Sequence, residues 1–450
     1  MPSTQPARGT RDFLPADIRK REHVMGVVRD VYERYRFEPL ETPAFENIET
    51  LTGKYGDEGA KLIFKILKRG EHESTGQADL ALRYDLTVPL ARVVAEYQSD
   101  LPKYFRRYQI QPVWRADRPA RGRFREFYQC DIDAMGSTSP VVEAEVIAAV
   151  SEVLTTLGFS DFRVRLNDRR LLSALLGAAG VPVGRETDAL VALDKLDKIG
   201  ADGVTAELVA RGIDADTAAA CMRMFAAPDE ADEPAQTGVL AALEGRLGDR
   251  RDALETVRTI LALSERTPAA GRIRIDPSLA RGLSYYTGAI MEIAVPDLAG
   301  SLGGGGRYDN LIGMFLGRNV PACGFSLGLE RIIVVMTERG MFPASVGLAP
   351  ADVMVALWDE AGRADALALA AELRRGGLRV DVYPDPDKPG KQFKYASLRQ
   401  YRAVVLVGED ERQAGTVNVK DMRTATQVTV PRAGVLAHLQ RELIAERVEG

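Results

Sequence analysis

Between Lys103 and Arg125 the chain carries Lys103, Arg106, Arg107, Arg115, Arg118, Arg121, Arg123 and Arg125 against a single acid, Asp117. A run of this kind is ordinarily a solvated face. Here arginine replaces lysine almost throughout, which suits two-point grip on phosphate oxygens, and Phe124, Phe127 and Tyr128 interleave as faces on which a base can stack. The ligand class indicated is a nucleoside triphosphate or a polynucleotide. Arg281, in ARGLSYYTG, and Arg331, in GLERII, extend the set. Two negatively charged reactants approach one another only where fixed cations neutralise them, and arginines drawn from separate segments can do that.

Other chemistries have weaker support. The four glycines at 303 to 306 match neither GxxxxGK[ST] nor GxGxxG; they permit close backbone approach to a ligand or another strand. GFSLG at 324 to 328 has the GxSxG pattern of a hydrolase elbow, but Pro321 argues against a central strand before it, and His438 is the only later histidine. Small residues there are expected to let the helix LERIIVVM pack closely. Cysteines at 130, 221 and 323 and histidines at 23, 72 and 438 show no ligand spacing, so neither a zinc site nor a disulfide framework is expected. Mg²⁺ held by carboxylates and substrate phosphates is compatible with the sequence.

The elements that must position these groups follow from periodicity. Val24, Val27, Val28, Val31 and Tyr35 recur at helical spacing, predicting a helix over 18 to 35 that begins after Pro15 and Asp17. FEPLETPAFE reads as an extended edge segment, able to pair at a sheet margin or between subunits, with Pro43 barring a central position. KYFRRYQIQPVW and RFREFYQCDIDAM read as a hairpin turning through RADRPARGR. Ala- and Leu-rich helical periods then fill 168 to 269, broken by PDEADEP. Strand character resumes in RIRIDPSLARGLSYYTGAIMEIAV, followed by the glycine run and then GFSLGLERII. Beyond 345, strands and helices alternate as in a small α/β domain with parallel pairing. The fold class expected is α+β, with segments 1–167, 168–269, 270–345 and 346–450.

At 450 residues, 46% hydrophobic and 27% charged, the chain can bury two or three cores. Its net charge of −5 confines nucleic-acid contact to local basic patches. No apolar run approaches the roughly 20 residues that span a bilayer, and the first residues lack the apolar stretch of a signal peptide. A cytoplasmic protein without membrane contact is expected.

Taken together, these segments resemble the class II aminoacyl-tRNA synthetases, and among them the histidyl-tRNA synthetases. The helix 18 to 35 running into Pro43, the hairpin WRADRPARGRFREFYQCDID and GFSLGLERII resemble the three class motifs, while RGLSYYTG and GGGGRYDN resemble stretches specific to the histidine enzymes. The likeness implies an antiparallel-sheet catalytic core with motifs 1 and 2 in 1–167, a helical insertion at 168–269, the rest of the core with motif 3 at 270–345, and an anticodon-binding domain at 346–450.

The resemblance also implies a site. Arg115 would hold the α-phosphate of ATP and the histidine carboxylate, Arg123 and Arg331 the outer phosphates, and Phe127 the adenine. Arg281 would stabilise the pentavalent phosphorus, a role many relatives leave to a metal. Asp85, Thr87 and Gln129 would receive the amino acid's ammonium group, and Asp133, Tyr285 and Tyr286 would surround its side chain. An imidazole carries one N–H donor and one acceptor when neutral and two donors when charged, so a carboxylate and a phenol suit it. Asp85 and Asp133 stand where many bacterial members carry glutamate, and Ala120 where they commonly present a polar side chain to the tRNA acceptor end. Partners implied are L-histidine, ATP with Mg²⁺, tRNA(His) and a second copy of the chain through residues 18 to 45. Lys388, Lys391, Lys394, Arg399 and Arg402 would touch the tRNA. A paralogous regulatory subunit of ATP phosphoribosyltransferase shares the core but usually has eroded arginine motifs and no terminal α/β domain.

Overall fold

Alternating residues on a strand face opposite sides, and along 126 to 135 the sequence alternates polar with apolar: Gln129, Asp131 and Asp133 against Cys130, Ile132 and Ala134. The computed structural model, which describes residues 4–55, 59–70, 75–225, 236–280, 285–347 and 352–444, builds its largest sheet around that strand. The chain divides into two units, Met1–Phe342 and Pro343–Gly450.

In chain order the first unit has strands β1 (Glu38–Pro39), β2 (Phe45–Asn47), β3 (Lys65–Leu67), β4 (Ala78–Leu82), β5 (Arg106–Trp114), β6 (Glu126–Met135), β7 (Arg163–Asp168), β8 (Ile273–Ile275), β9 (Ala289–Ala294), β10 (Gly303–Arg307) and β11 (Ala322–Gly328). Eight of them form one sheet in the order β1-β5-β6-β11-β10-β9-β7-β8, and β2, β4 and β3 form a small second sheet. Pairing is antiparallel through the middle of the large sheet and parallel only at its margins, β1 with β5 and β7 with β8.

The two faces of this sheet differ in chemistry. Cys130 and Ile132 of β6, Cys323, Phe325 and Leu327 of β11 and Met291 and Ile293 of β9 are buried in one apolar core. The helix Val141–Thr156 belongs to that core and is apolar on nearly all sides, as a helix packed between other elements must be. The helix Pro15–Arg34 adds Val24, Val28 and Val31, and the helix Leu329–Glu338 adds Ile332, Val335 and Met336. The helices between Arg169 and Ser264 bury Leu171, Leu175, Leu190, Leu208 and Ile260 in the same core. On the opposite face, register places Arg107, Gln109 and Gln111 of β5 beside Asp133, Asp131 and Gln129 of β6, and these beside Gly324, Ser326 and Gly328 of β11.

Pro321 does not keep GFSLG out of the sheet interior. β11 starts at Ala322, one residue after the proline, and lies centrally between β6 and β10, so the missing N–H falls outside the ladder. The glycine run is itself a central strand. A methyl on Gly305 would lie 2.2 Å from the Gly324 carbonyl oxygen and one on Gly306 2.4 Å from that of Ala289, so side chains there would push the backbones apart.

The second unit has β12 (Val353–Val355), β13 (Val380–Val382), β14 (Ala403–Leu406), β15 (Thr416–Asp421) and β16 (Gln427–Pro431), ordered β13-β12-β14-β15-β16. The first three pair in parallel as expected; β15 and β16 add an antiparallel hairpin. Its signal is present, since Val417 and Val419 alternate with Asn418 and Lys420 and are buried, but it follows rather than joins the strand–helix alternation. Helices Arg363–Arg375 and Val435–Ile444 contribute Leu369, Leu373, Val435 and Leu439 to a core separate from that of the first unit.

Candidate functional site

The polar face of β5, β6 and β11 gathers the expected residues. Asp85 sits just before the helix Thr87–Glu96, and its Oδ1 accepts from the Val88 N–H at 3.1 Å and from the Tyr55 hydroxyl at 2.9 Å. A short acidic side chain here satisfies an N–H that the helix itself cannot, which is why the sequence turns at this point. Asp85 is buried, and burial pushes its carboxyl above the usual range against the pull of Val88, Arg115 and Tyr55. Thr87, the first residue of that helix, adds a further backbone N–H to the same carboxylate.

Arg115 begins the turn between β5 and β6. Its Nε donates to the Tyr84 carbonyl at 3.0 Å, and its guanidinium lies 4.3 Å from the Tyr84 ring centroid and 5.2 Å from that of Phe127. The backbone of that turn is tied at Ala120 and Arg123 by reciprocal bonds of 3.1 and 2.9 Å. Arg331 donates to the Ser301 carbonyl, and a methyl on Gly122 would lie 3.3 Å from its Cγ, so the turn and the third segment meet. Not every arginine of the run has the same place. Arg106 pairs with Glu145, Arg107 with Asp133 and Arg121 with Glu338, whereas Arg115 and Arg123 form no ion pair among the described residues. Arg281 lies outside the described residues.

Gln129 donates from Nε2 to Ser326 Oγ at 2.7 Å, and its buried Oε1 has no hydrogen-bond partner among the described residues. Asp133 accepts from the Tyr308 hydroxyl on Oδ1 and has Arg107 Nη2 2.8 Å from Oδ2. A methyl on Gly324 would lie 1.9 Å from Asp133 Oδ1, so the first glycine of GFSLG makes room for this carboxylate. Tyr285 is buried, edge-on to Tyr286 at 5.2 Å and to Tyr308 at 6.2 Å, within electrostatic reach of Asp85, Arg115 and Asp131. The Tyr286 ring lies against Gly306, where a Cβ would approach it to 3.1 Å; the glycine run thus seats this ring.

Sequence reasoning missed Arg107, Asp131, Tyr308 and Tyr55 as members of this cluster. Hairpin register was the available signal: with Trp114 opposite Glu126, every pair sums to 240, which sets Arg107 against Asp133 and Gln109 against Asp131. It also missed the N-terminal segment. Gly9 accepts at its carbonyl from the Arg125 N–H at 2.8 Å, and the Arg11 guanidinium lies 3.8 Å from the Phe124 ring centroid and 4.7 Å from that of Phe13. The start of the chain thereby holds the arginine-bearing turn from outside.

Residues 9–332 match the family model for histidyl-tRNA synthetase, and residues 352–442 match that for an anticodon binding domain. The chain belongs to the histidyl-tRNA synthetase family. The histidine--tRNA ligase of Leifsonia xyli is 43% identical over 90% of this chain and 95% of its own, and that of Cytophaga hutchinsonii is 41% identical over 94% and 96%. The crystal structure of histidyl-tRNA synthetase from Nostoc sp. PCC 7120 superposes with a TM-score of 0.79 at 29% identity, covering 98% of this chain and all of that one (100%). A structure described as an ATP phosphoribosyltransferase regulatory subunit/histidyl-tRNA synthetase from Bacillus halodurans shares the fold at a TM-score of 0.72 and 22% identity. The antiparallel core and terminal α/β unit are thus those of this synthetase family, whose members are ATP-dependent ligases of histidine and tRNA(His).

Proposed function

We propose that the polar face of the large sheet activates L-histidine with ATP and passes the histidyl group to tRNA(His). The observation that carries this reading is the meeting, in one cluster, of a buried acid and a cation that forms no ion pair among the described residues: Arg115, anchored on Tyr84 and stacked by Phe127, within electrostatic reach of Asp85. Arg115 would neutralise the α-phosphate and the incoming carboxylate together. Arg123 and Arg331, from the turn and the helix that meet it, would hold the outer phosphates, and Phe127 would lie against adenine. Asp85, Thr87 and Gln129 would take the ammonium group, with Asp133, Tyr285 and Tyr286 around the imidazole. Gln129 Oε1, without a hydrogen-bond partner among the described residues, is an acceptor suited to a donor of that kind.

In the first step a histidine carboxylate oxygen attacks the α-phosphorus, the bond to the β-phosphate oxygen breaks, and pyrophosphate leaves. In the second, a terminal ribose hydroxyl of the tRNA attacks the acyl carbon, losing its proton, and AMP leaves. Neither step needs a protein nucleophile; positioning and charge stabilisation supply the rate. Mg²⁺ would come on the triphosphate and supply charge neutralisation there.

Arg281, in the histidine-specific segment, would meet the charge that develops on phosphorus. Arg281→Ala should slow histidine-dependent exchange of pyrophosphate into ATP by roughly 10²- to 10³-fold with histidine binding little changed. Near-normal single-turnover adenylate formation in that variant rejects the role. The same exchange assay on the parent chain, followed by charging of tRNA(His), tests the whole reading. Exchange without charging would favour a degenerate relative, and the absence of both would overturn the reading; the arginines of the turn and the terminal unit weigh against the regulatory-subunit alternative.

The assembly fitting this site is a homodimer through residues 18 to 45, where the edge strand β1 and the half-exposed Phe45 lie. Sedimentation at micromolar concentration should give twice the chain mass. The setting is the cytoplasm; among the described residues no helix is long and apolar enough to cross a membrane.

A further inference from the structure

Three charged groups lie under the proposed imidazole site, all buried. Arg107 is fully enclosed, and Asp131 and Asp133 are each 2% exposed. Arg107 Nη2 stands 2.8 Å from Asp133 Oδ2 and 3.9 Å from Asp131 Oδ2, so one guanidinium serves two carboxylates. Two negative charges against one positive leave a surplus of one, in a place water does not reach. Asp131 Oδ1 has no hydrogen-bond partner among the described residues, and the only side-chain hydroxyl bonded to this carboxylate there is that of Ser326, which also accepts from Gln129.

We propose that Asp131 is a positioning residue that, with Arg107, fixes the charge of this floor so that the substrate's side chain is held as the imidazolium cation. The proposal rests on the reading that this cluster takes histidine, and it deepens that reading by naming the ionic form bound. With Asp131 ionised, a neutral imidazole above the floor would leave the surplus charge uncompensated. An imidazolium has two N–H donors and one positive charge, which matches one acidic floor and leaves no acceptor nitrogen to be satisfied. With an ordinary pKa near 6.5, the ring needs only a small shift to hold that proton at neutral pH, and a nearby anion shifts it in that direction.

The groups facing Asp131 pull its titration both ways. Arg107 of β5 favours its charged form; Asp133 of β6 and Asp85 before the helix Thr87–Glu96 disfavour it. Tyr285 and Tyr308, on the same side, and Tyr32 and Cys130, toward the apolar face, are neutral groups pushed upward by burial. Below about pH 7 the free protein relieves the surplus with a proton on Asp131, whose carboxyl burial pushes up to about 7. On binding, that proton belongs to the imidazole. Above pH 7 the complex must therefore take up a proton that the free floor has lost.

Two measurements test this on the full-length protein. Ring-¹⁵N-labelled histidine bound at pH 7.5 should give two nitrogen resonances of the protonated type; a pair split between protonated and bare nitrogens overturns the proposal. The Michaelis constant for histidine in pyrophosphate exchange should rise above pH 7.5, approaching tenfold per unit. In Asp131→Asn it should be raised near pH 7 but flat across the same range, with the Michaelis constant for ATP changed less than twofold. Superimposable pH profiles for the two proteins overturn the assignment to Asp131. The NMR readout uses the unaltered chain, so it decides even if the variant folds poorly. Absence of histidine-dependent exchange in the unaltered chain overturns the functional reading as well, whereas exchange with a neutral bound ring overturns this inference alone.

Discussion

A carboxylate buried beside a second one, as Asp131 is beside Asp133, gives up its proton less readily than in water, and the same displacement that tunes ligand charge must appear in stability. In the unfolded chain Asp131 ionises near its ordinary value of 3.8, whereas in the fold it does so at about 7. Between those values the folded state binds the extra proton, so stability falls as pH rises through this window and the penalty is complete above it. Asp131→Asn carries no charge to desolvate. Urea unfolding at pH 8 should therefore show the variant more stable by about 1–3 kcal/mol, with the gap nearly closed at pH 4. Equal differences at both pH values would mean that Asp131 is not the group carrying the raised ionisation. The Arg107 pairing also explains why the basic run could not be sorted by composition alone. Arg106, Arg107 and Arg121 answer acids brought from 145, 133 and 338, and only folding reveals those partners.

Elements were legible where a local period or turn dictated them. The first helix runs from Pro15 to Arg34 against an expected 18 to 35, and the hairpin β5–β6 turns where RADRPARGR placed it. FEPLETPAFE does lie at a sheet margin, with Glu38 and Pro39 pairing in parallel with β5. A single residue misleads where its effect depends on context: Pro321 suggests a break in the strand that it merely precedes, because the proline's cost depends on whether its own N–H is required. The glycine run was legible as close approach but not as a strand, since glycine has low strand propensity and only the facing backbones of β9 and β11 supply the reason. Its consequence can be measured. A methyl at Gly305 would meet backbone at 2.2 Å and 2.7 Å, atoms that cannot rotate away. Gly305→Ala should cost at least about 3 kcal/mol, the upper end of overpacking penalties, and lower the melting temperature. Gly245→Ala, at an exposed position of the helix Gln236–Leu247 with nothing within 4 Å of an added methyl, should leave it unchanged or slightly higher and serves as the control.

At the scale of the whole molecule, the proposed chemistry lies in the first unit while the second matches an anticodon binding domain, and their surfaces differ. The first unit buries its functional charges beneath a sheet; the second presents cations to solvent. Lys388, Lys391, Lys394 and Arg399 are exposed and Arg402 half-buried, on and around the helix Pro389–Leu398. Lys391 has Asp387 3.2 Å away and Arg399 interacts with Tyr401, while neither Lys388 nor Lys394 forms an ion pair among the described residues. The net charge of −5 provides no global attraction for tRNA, and the proposed contact through this patch would supply a local one. For every phosphate no longer neutralised, the slope of log affinity against log salt should fall by roughly 0.7 to 0.9. Lys388→Gln combined with Lys394→Gln is therefore expected to raise the Michaelis constant for tRNA(His) several-fold at low salt and to flatten its salt dependence by between one and two slope units. Because the proposed activation site lies in the first unit, pyrophosphate exchange without tRNA should keep its rate. A fall in exchange with unchanged tRNA dependence would move these lysines out of the RNA-binding surface and tie the second unit to the chemistry of the first.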